Sequence, residues 1–248
     1  MLTVIASLAV ECATAQFAEL VWVDRTPQEN SIHLSSFDGS SWSPIAEPLF
    51  KTSNSVTAAK IGTDSLGNKL LIWTEQIRDK TVLMHATRQL NRKWSKAEVL
   101  FAAGKENYAG SIVFDQNDIA WVFWSSADEG LADIYYLKIF DGQLSSVQEL
   151  HSQNQVPDTH PQANLMQNGD IKVEWVSYSL EKGQTIQRSK VLGIGSKGKQ
   201  KLDIDNDLDI ESLPLPSYLP KNSLSLLHAP NNKMQQSIMV SQEHRKRK

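Results

Sequence analysis

The sequence predicts an all-β fold built from four similar antiparallel sheets. Three observations support this: a tryptophan recurs every 51 residues, short apolar segments surround each copy, and turn residues separate those segments. The recurring tryptophans are Trp22, Trp73, Trp124 and Trp175. Three equal intervals in series indicate an internal repeat, and a period near 50 residues is typical of β-propeller blades. Because no segment sustains an i, i+3, i+4, i+7 apolar pattern across the repeats, helices are not expected.

The second repeat shows the elements of one unit most clearly. "SVTAAKIGTD" predicts a first strand and "SLGN" a turn, and then come strands in "KLLIWTE" and "TVLMHATRQ" and a short fourth strand in "KWSKAEVLF". The expected strands are 56–62, 69–75, 81–88 and 97–101. They are rich in β-branched and aromatic residues, and turn residues bound them. Since the third and fourth repeats follow the same order, the sequence predicts a β-propeller of four four-stranded antiparallel blades over residues 16–204.

One turn in the first repeat resembles the Asp-box of sialidase-like propellers. "FDGSSWS", residues 37–43, contains Asp38, Gly39 and Trp42 in the order of that turn, although Asp38 and Gly39 are one residue closer than usual. Only this repeat keeps the acidic residue and the tryptophan together. The resemblance covers roughly residues 17–204 and implies a sialidase-like fold. It does not imply sialidase activity, because the sequence offers no arginine triad, no tyrosine nucleophile with its glutamate and no "RIP"-type segment.

Composition and the N-terminus limit the function and location. A net charge of −3 and a pI of about 6.1 give no reason to expect a nucleic-acid partner. The apolar run in "MLTVIASLAVECATAQ" is too short to span a bilayer. It suits a signal peptide over residues 1–15 with cleavage before Gln16, which predicts a periplasmic or secreted protein without a disulfide, since Cys12 is the only cysteine. Alternatively, "LTVIASLAV" is the innermost strand of the first blade.

The C-terminal part departs from the repeat. The segment 197–204 is expected to supply the outer strand of the fourth blade, and residues 205–248, with several prolines and a basic end, are expected to form a disordered tail. Four aspartates there have the spacing of the first ligands of a calcium loop: Asp203, Asp205, Asp207 and Asp209. Leu208 replaces the glycine and Pro214 the glutamate of such a loop, so the prediction is that no metal binds.

Candidate ligand-binding residues follow from the repeat. In a propeller, the residues after the second strand and those leading into the first strand of each blade lie around one mouth of the central funnel. This predicts a set of polar residues at that mouth: Asp24, Arg25, Glu75, Tyr108, Ser126, His160 and Ser177. Two carboxylates facing a cleft, Asp24 and Glu75, are the catalytic candidates for glycoside hydrolysis. The repeated tryptophans are expected to pack between blades, the alternative being a ring of sugar-stacking platforms.

No motif for a cofactor is present. The sequence lacks a G-x-S-x-G elbow, a P-loop, a G-x-G-x-x-G fingerprint and closely spaced histidines, so no cofactor is expected. The leading functional prediction is a non-enzymatic exported module that binds a glycan or a protein. The first alternative is a glycoside hydrolase using Asp24 and Glu75. The second is a structural fragment whose ring closes only with another copy, and exposed blade edges would then produce a homo-oligomer.

Overall fold

The chain folds into four antiparallel β-sheets. The computed structural model describes residues 18–44, 47–128, 130–152, 154–193, 224–231 and 234–241. Every regular element in these ranges is a β-strand, which confirms the all-β prediction and the four blades. No helix long and apolar enough to cross a membrane occurs in this part of the chain.

The second blade agrees closely with the sequence-based boundaries. Its four strands run in the order β4-β5-β6-β7 from the centre outward. They are β4 (Val56–Thr63), β5 (Lys69–Ile77), β6 (Lys80–Arg88) and β7 (Glu98–Phe101). Gly67, which lies in the "SLGN" turn between β4 and β5, has a φ of 84°. Glycine adopts this conformation without steric cost, which explains why the turn forms there.

The third and fourth blades repeat this arrangement with local differences. The third sheet has the order β11-β10-β9-β8, with β12 also pairing with β10. Its strands are β8 (Glu106–Phe114), β9 (Ala120–Ala127), β10 (Asp133–Phe140), β11 (Gln143–Leu144) and β12 (Gln148–Glu149). The fourth sheet has three strands in the described residues, β13 (Thr159–Leu165), β14 (Ile171–Ser179) and β15 (Gln184–Leu192).

The first blade is completed by the C-terminal part of the chain. Its strands are β1 (Ala18–Arg25), β2 (Asn30–Phe37) and β3 (Phe50–Thr52), and β1 also pairs with β16 (Leu224–Asn231), which forms a hairpin with β17 (Met234–Ser241). Trp22 therefore lies opposite Ser225 on one side and His33 on the other. The sequence predicts a disordered tail over 205–248, whereas residues 224–231 and 234–241 within it form this hairpin. In the described residues, β16 covers the edge of β1.

The hydrophobic core consists of layers between adjacent blades. Trp73 packs with residues of the first blade such as Val21 and Ile32, and Trp124 packs with residues of the second blade such as Ile72. Trp175 in turn packs with residues of the third blade such as Phe123. All four repeated tryptophans are at most 6% exposed. This confirms the inter-blade interpretation and excludes these tryptophans as sugar-stacking platforms.

Three sequence-based predictions lie outside the described residues. They are the signal peptide or first strand over 1–15, the outer strand of the fourth blade over 197–204, and the aspartate series from Asp203 to Asp209.

Candidate functional site

A cavity opens at the end of the fold where the innermost strands begin. Its volume is about 360 Å³, and strands of all four blades contribute to it. Its lining residues are Val23, Arg25, Thr57, Ala58, Ala59, Lys60, Tyr108, Ala109, Gly110, Ser125, Thr159, His160, Pro161 and Gln162. A concave, largely apolar site with a few convergent polar groups is the usual form of a small-molecule site.

The cavity wall is shaped by a repeated irregularity of the backbone. The pairing register shifts between Val56 and Ala58 in β4, between Ala109 and Ser111 in β8, and between Thr159 and Gln162 in β13. Bulges of this kind re-aim side chains and are frequent beside active sites. In β8 the bulge contains Gly110, where an added Cβ would lie 2.5 Å from Pro161 Cγ and 2.7 Å from the carbonyl oxygen of Phe123. Only glycine therefore lets the third and fourth blades approach each other here.

Lys60 is the most unusual group of the cavity. It is only 9% exposed, and neither a hydrogen bond nor an ion pair of its ammonium group is found in the described residues. Burial lowers the pKa of Lys60 from 10.5 to about 8. A buried ammonium without an anion is costly to maintain. The site is therefore suited to a ligand with a negative charge.

Arg25 adds a second cation at the same mouth. Its Nε donates to the carbonyl oxygen of Val56 at 3.1 Å, and its Nη2 donates to that of Thr57 at 3.4 Å. These contacts fix the guanidinium against β4 and use two of its five N–H donors. The remaining donors are available to a ligand.

Tyr108 and Glu106 form a pair at the start of β8. They lie two residues apart and so share a face of the strand, and the Tyr108 hydroxyl donates to Glu106 Oε2 at 3.4 Å. Burial, followed by the negative charge of Glu106, raises the pKa of Tyr108. His160 lies across the cavity with a φ of 55°, and its Nδ1 is 2.9 Å from Thr159 Oγ1. The hydroxyl thus stays protonated at rest but has a carboxylate to receive its proton.

The predicted set is only partly brought together. Arg25, Tyr108 and His160 line the cavity, whereas Asp24, Glu75, Ser126 and Ser177 do not. The physical reason is strand alternation. A residue two positions after a repeated tryptophan shares the tryptophan's face and enters the layer against the preceding blade. In the first and third blades, residues one or three positions after the tryptophan line the cavity, namely Val23, Arg25 and Ser125.

Glu75 illustrates this correction. It is buried, and its Oε1 accepts hydrogen bonds from Thr52 Oγ1 and Asn54 Nδ2, both at 2.7 Å. Its Oε2 accepts a hydrogen bond from Trp73 Nε1 at 3.0 Å. Glu75 therefore ties the second blade to the segment that leaves the first. Asp24 lies between Val23 and Arg25 and points away from the cavity, so the two carboxylates do not form the expected catalytic pair.

Sequence reasoning missed Lys60 and Glu106. Lys60 stands within the otherwise apolar and small residues of "VTAAKIGT", and a charge inside a predicted innermost strand was a usable signal. Glu106 could have been found from its i, i+2 relation to Tyr108 once β8 was assigned.

The Asp-box-like turn is well formed. Asp38 Oδ1 accepts hydrogen bonds from the backbone N–H groups of Ser40 and Ser41 at 2.9 and 2.8 Å. The bond from Ser41, followed by that from Ser40, lowers the pKa of Asp38 to about 2. Trp42 pairs with Phe37 across the turn, with ring centroids 5.4 Å apart. Asp38 and Trp42 therefore have structural roles, and neither lines the cavity.

Comparison with known proteins supports the fold. No family model and no curated protein matches the chain. An endo-arabinase from Bacteroides thetaiotaomicron is 12% identical with a TM-score of 0.52, over 91% of this chain and 94% of that one. A xylan β-1,4-xylosidase from Bacillus halodurans is 12% identical with a TM-score of 0.48, over 92% of this chain and 53% of that one. An α-L-arabinofuranosidase from Fusarium graminearum is 14% identical with a TM-score of 0.46, over 90% and 72%. At these identities the likeness establishes the fold alone.

These comparisons correct the leading functional prediction. The protein whose fold matches that of this chain is named as an enzyme, an endo-arabinase, and this contradicts the expectation of a non-enzymatic binding module. The comparisons do not identify the sialidase-like superfamily, so that relationship stays a prediction. A homo-oligomer and a protein partner stay predictions as well.

Proposed function

We propose that this chain is a glycoside hydrolase that cleaves an acidic sugar in the cavity. The observation that supports this most directly is that Tyr108 and two cations, Arg25 and Lys60, line one cavity. Glu106 lies outside the lining but accepts a hydrogen bond from the Tyr108 hydroxyl at 3.4 Å. The enzymes with a similar fold act on glycans, according to their names. An acidic sugar would supply a negative charge for Lys60, for which none is found in the described residues.

No tyrosine nucleophile with a glutamate was expected from the sequence, but the hydrogen bond between Tyr108 and Glu106 supplies such a pair. The proposed chemistry uses Tyr108 as the nucleophile in place of a pair of carboxylates. Some glycosidases use a tyrosine in this role. Glu106 would accept the proton of the Tyr108 hydroxyl as the phenolic oxygen bonds to the anomeric carbon and the bond to the leaving oxygen breaks. The leaving oxygen would take a proton from cavity water. The hydroxide left by that transfer would then attack the anomeric carbon and release the sugar from Tyr108, whose phenolic oxygen would take back the proton held by Glu106.

The cations position the sugar and stabilise the reaction. Arg25 and Lys60 would hold the carboxylate of the substrate, because charge-assisted hydrogen bonds are stronger than hydrogen bonds between neutral groups. Neutral sugars would leave the Lys60 ammonium without its anion. The proposal therefore includes selectivity for acidic over neutral glycosides.

A panel of fluorogenic glycosides tests this proposal. Glucuronides, galacturonides and N-acetylneuraminides are compared with arabinosides and xylosides on the purified chain. We expect turnover of at least one acidic glycoside, with Tyr108→Phe and Glu106→Gln each losing about 100-fold or more, since general base and nucleophile contributions are of that size. Tyr178→Phe and Glu181→Gln are matched controls outside the cavity lining and should keep full activity. Turnover of neutral glycosides alone, or full activity in Tyr108→Phe, would overturn the assignment.

We further propose that the protein acts after export, where extracellular glycans are encountered. This rests on the signal-peptide pattern of residues 1–15. N-terminal sequencing of the protein from its native cells should begin at Gln16, and recovery of the chain from the cytosol with Met1 in place would contradict it.

A further inference from the structure

A second group of functional side chains lies between the third and fourth blades. Asp133 begins β10, His151 follows β12, and Asp158 precedes β13. One ligand atom from each of these residues lies within 4.8 Å of the others. We propose that Asp133, His151 and Asp158 bind one divalent transition-metal ion. This proposal is independent of the function assigned to the cavity.

The hydrogen bonds of His151 indicate what faces the centre of the group. Its Nδ1 lies 2.9 Å from the carbonyl oxygen of Ser152, and because a carbonyl only accepts, Nδ1 carries a proton. In the neutral imidazole, Nε2 then presents a lone pair toward Asp158 Oδ2 at 3.4 Å, and no hydrogen-bond partner of Nε2 is found in the described residues. A metal ion between these two electron-rich atoms would make the contact favourable, and protonation of Nε2 is the alternative that the test below separates. Histidines that ligate metals commonly donate their other N–H to a backbone carbonyl in this way.

Asp133 provides a second, independent indication. It is only 9% exposed, and its Oδ1 is buried without a hydrogen-bond partner in the described part of the chain. A buried carboxylate oxygen without a partner is strongly unfavourable, and a metal ion directed at it removes that cost.

The third ligand is held rigidly. Asp158 is fully buried, and its Oδ1 accepts a hydrogen bond from Trp175 Nε1 at 2.7 Å while its Oδ2 accepts one from Asn154 Nδ2 at 2.5 Å. Trp175 also stacks on the His151 ring, with centroids 5.2 Å apart. These contacts supply the outer hydrogen bonds that orient metal ligands.

The surroundings allow an ion to enter and limit its identity. An open space of about 440 Å³ lies against His151, Asn154 and Trp175. Two carboxylates and an imidazole suit Zn²⁺ or Mn²⁺, whereas Ca²⁺ requires six to eight oxygen ligands. Since Asp158 directly precedes Thr159 and His160 in the cavity wall, the ion would anchor the beginning of β13 to the third blade.

Metal titration of the full chain tests the proposal. After treatment with EDTA and dialysis, ZnCl₂ and MnCl₂ are titrated separately by calorimetry, and Tm is measured with and without each metal. We expect one equivalent of one of these ions to bind and Tm to rise. Asp133→Asn and His151→Gln should weaken binding by about 10- to 100-fold or more. Asp141→Asn, in an exposed turn, is the matched control and should bind like the wild type.

A measurement on the unmodified chain keeps the test decisive if a variant misfolds. Co²⁺ should produce visible d–d absorption bands that one equivalent of Zn²⁺ removes. Failure of the wild-type chain to bind Zn²⁺, Mn²⁺ and Co²⁺ would overturn the proposal and leave an imidazolium at His151 as the explanation. Undiminished metal binding by folded Asp133→Asn would overturn it equally.

Discussion

Replacing Lys60 with methionine should stabilise the unliganded protein while abolishing its selectivity for acidic ligands. Methionine matches the apolar length of lysine without its charge. Lowering the pKa from 10.5 to about 8 corresponds to about 3 kcal/mol of unfavourable free energy for the charged form, because each pKa unit is worth about 1.4 kcal/mol. At pH 7 the folded and unfolded chains both carry the charge, so this cost is fully present and its removal should raise the free energy of unfolding by up to about 3 kcal/mol.

The pH dependence of this effect follows from linkage. Between pH 8 and pH 10.5 the unfolded chain binds the Lys60 proton and the folded chain does not, so the wild-type protein gains stability relative to Lys60→Met as pH rises. The advantage of the variant should therefore fade by about pH 10. Urea unfolding followed by tryptophan fluorescence at pH 7 and pH 10 measures the difference between the two proteins at each pH. The neighbouring Thr57→Val is a control for altered packing at the cavity. Two results would refute the reasoning. One is a Lys60→Met protein less stable than the wild type at pH 7, and the other is a gain in free energy of unfolding that is equal at pH 7 and pH 10.

Four further predictions concern the cavity, the blade contacts and closure. Binding of an acidic sugar should weaken as pH rises above 8, where Lys60 loses its proton, and calorimetry at pH 7 and pH 9 should detect the change; equal affinity would contradict it. Glu75→Gln should lower the free energy of unfolding by about 1–3 kcal/mol, because one of the three groups that donate to Glu75 loses a charged acceptor. The kcat of the folded enzyme should stay unchanged, and a specific loss of kcat would restore Glu75 as a catalytic residue. Gly110→Ala should destabilise the fold by about 1–3 kcal/mol through overpacking against Pro161, whereas Gly130→Ala, with open space around it, should not. Truncation after residue 223 should expose the edge of β1 and cause aggregation detectable by light scattering; a monodisperse, fully folded fragment would show that β16 does not close the sheet.

The repeat was visible in the sequence because packing imposes it. Each blade buries one face against its predecessor, so a large aromatic residue is required at the same position every 51 residues, and the strands of the second blade followed from that register. The turn at Gly67 could also be predicted from the sequence, because its positive φ favours glycine. These features depend on local chemistry and a regular period.

Closure of the first blade by β16 could not be predicted from the sequence. "LSLLHAPN" and "MQQSIMVS" contain strand-like alternation, but Pro230 and the surrounding polar residues resemble an unstructured tail. Pairing of β16 with β1 joins residues about 200 positions apart. A contact of that sequence separation depends on the geometry of the whole ring and leaves no periodic signal in the local sequence.

The residues predicted for the funnel mouth differ from those that line the cavity by one position along a strand, and this small difference has large consequences. Because successive side chains in a strand point to opposite faces, choosing Ser126 in place of Ser125 selects the packed layer instead of the cavity. Arg25, Tyr108 and His160 line the cavity because they occupy the ends and bulges of strands. The bulges themselves depend on contacts such as that between Gly110 and Pro161, which join different blades.

The most direct test of the central claim is to trap the sugar on the enzyme. An activated 2-fluoro or 3-fluoro acidic glycoside slows release of a covalent intermediate, and intact mass spectrometry followed by peptide mapping then identifies the residue that carries it. The account predicts a mass increase of one acidic sugar located on Tyr108, absent in Tyr108→Phe and reduced in Glu106→Gln. An adduct on another residue, or cleavage that yields an unsaturated sugar without any adduct, would contradict it.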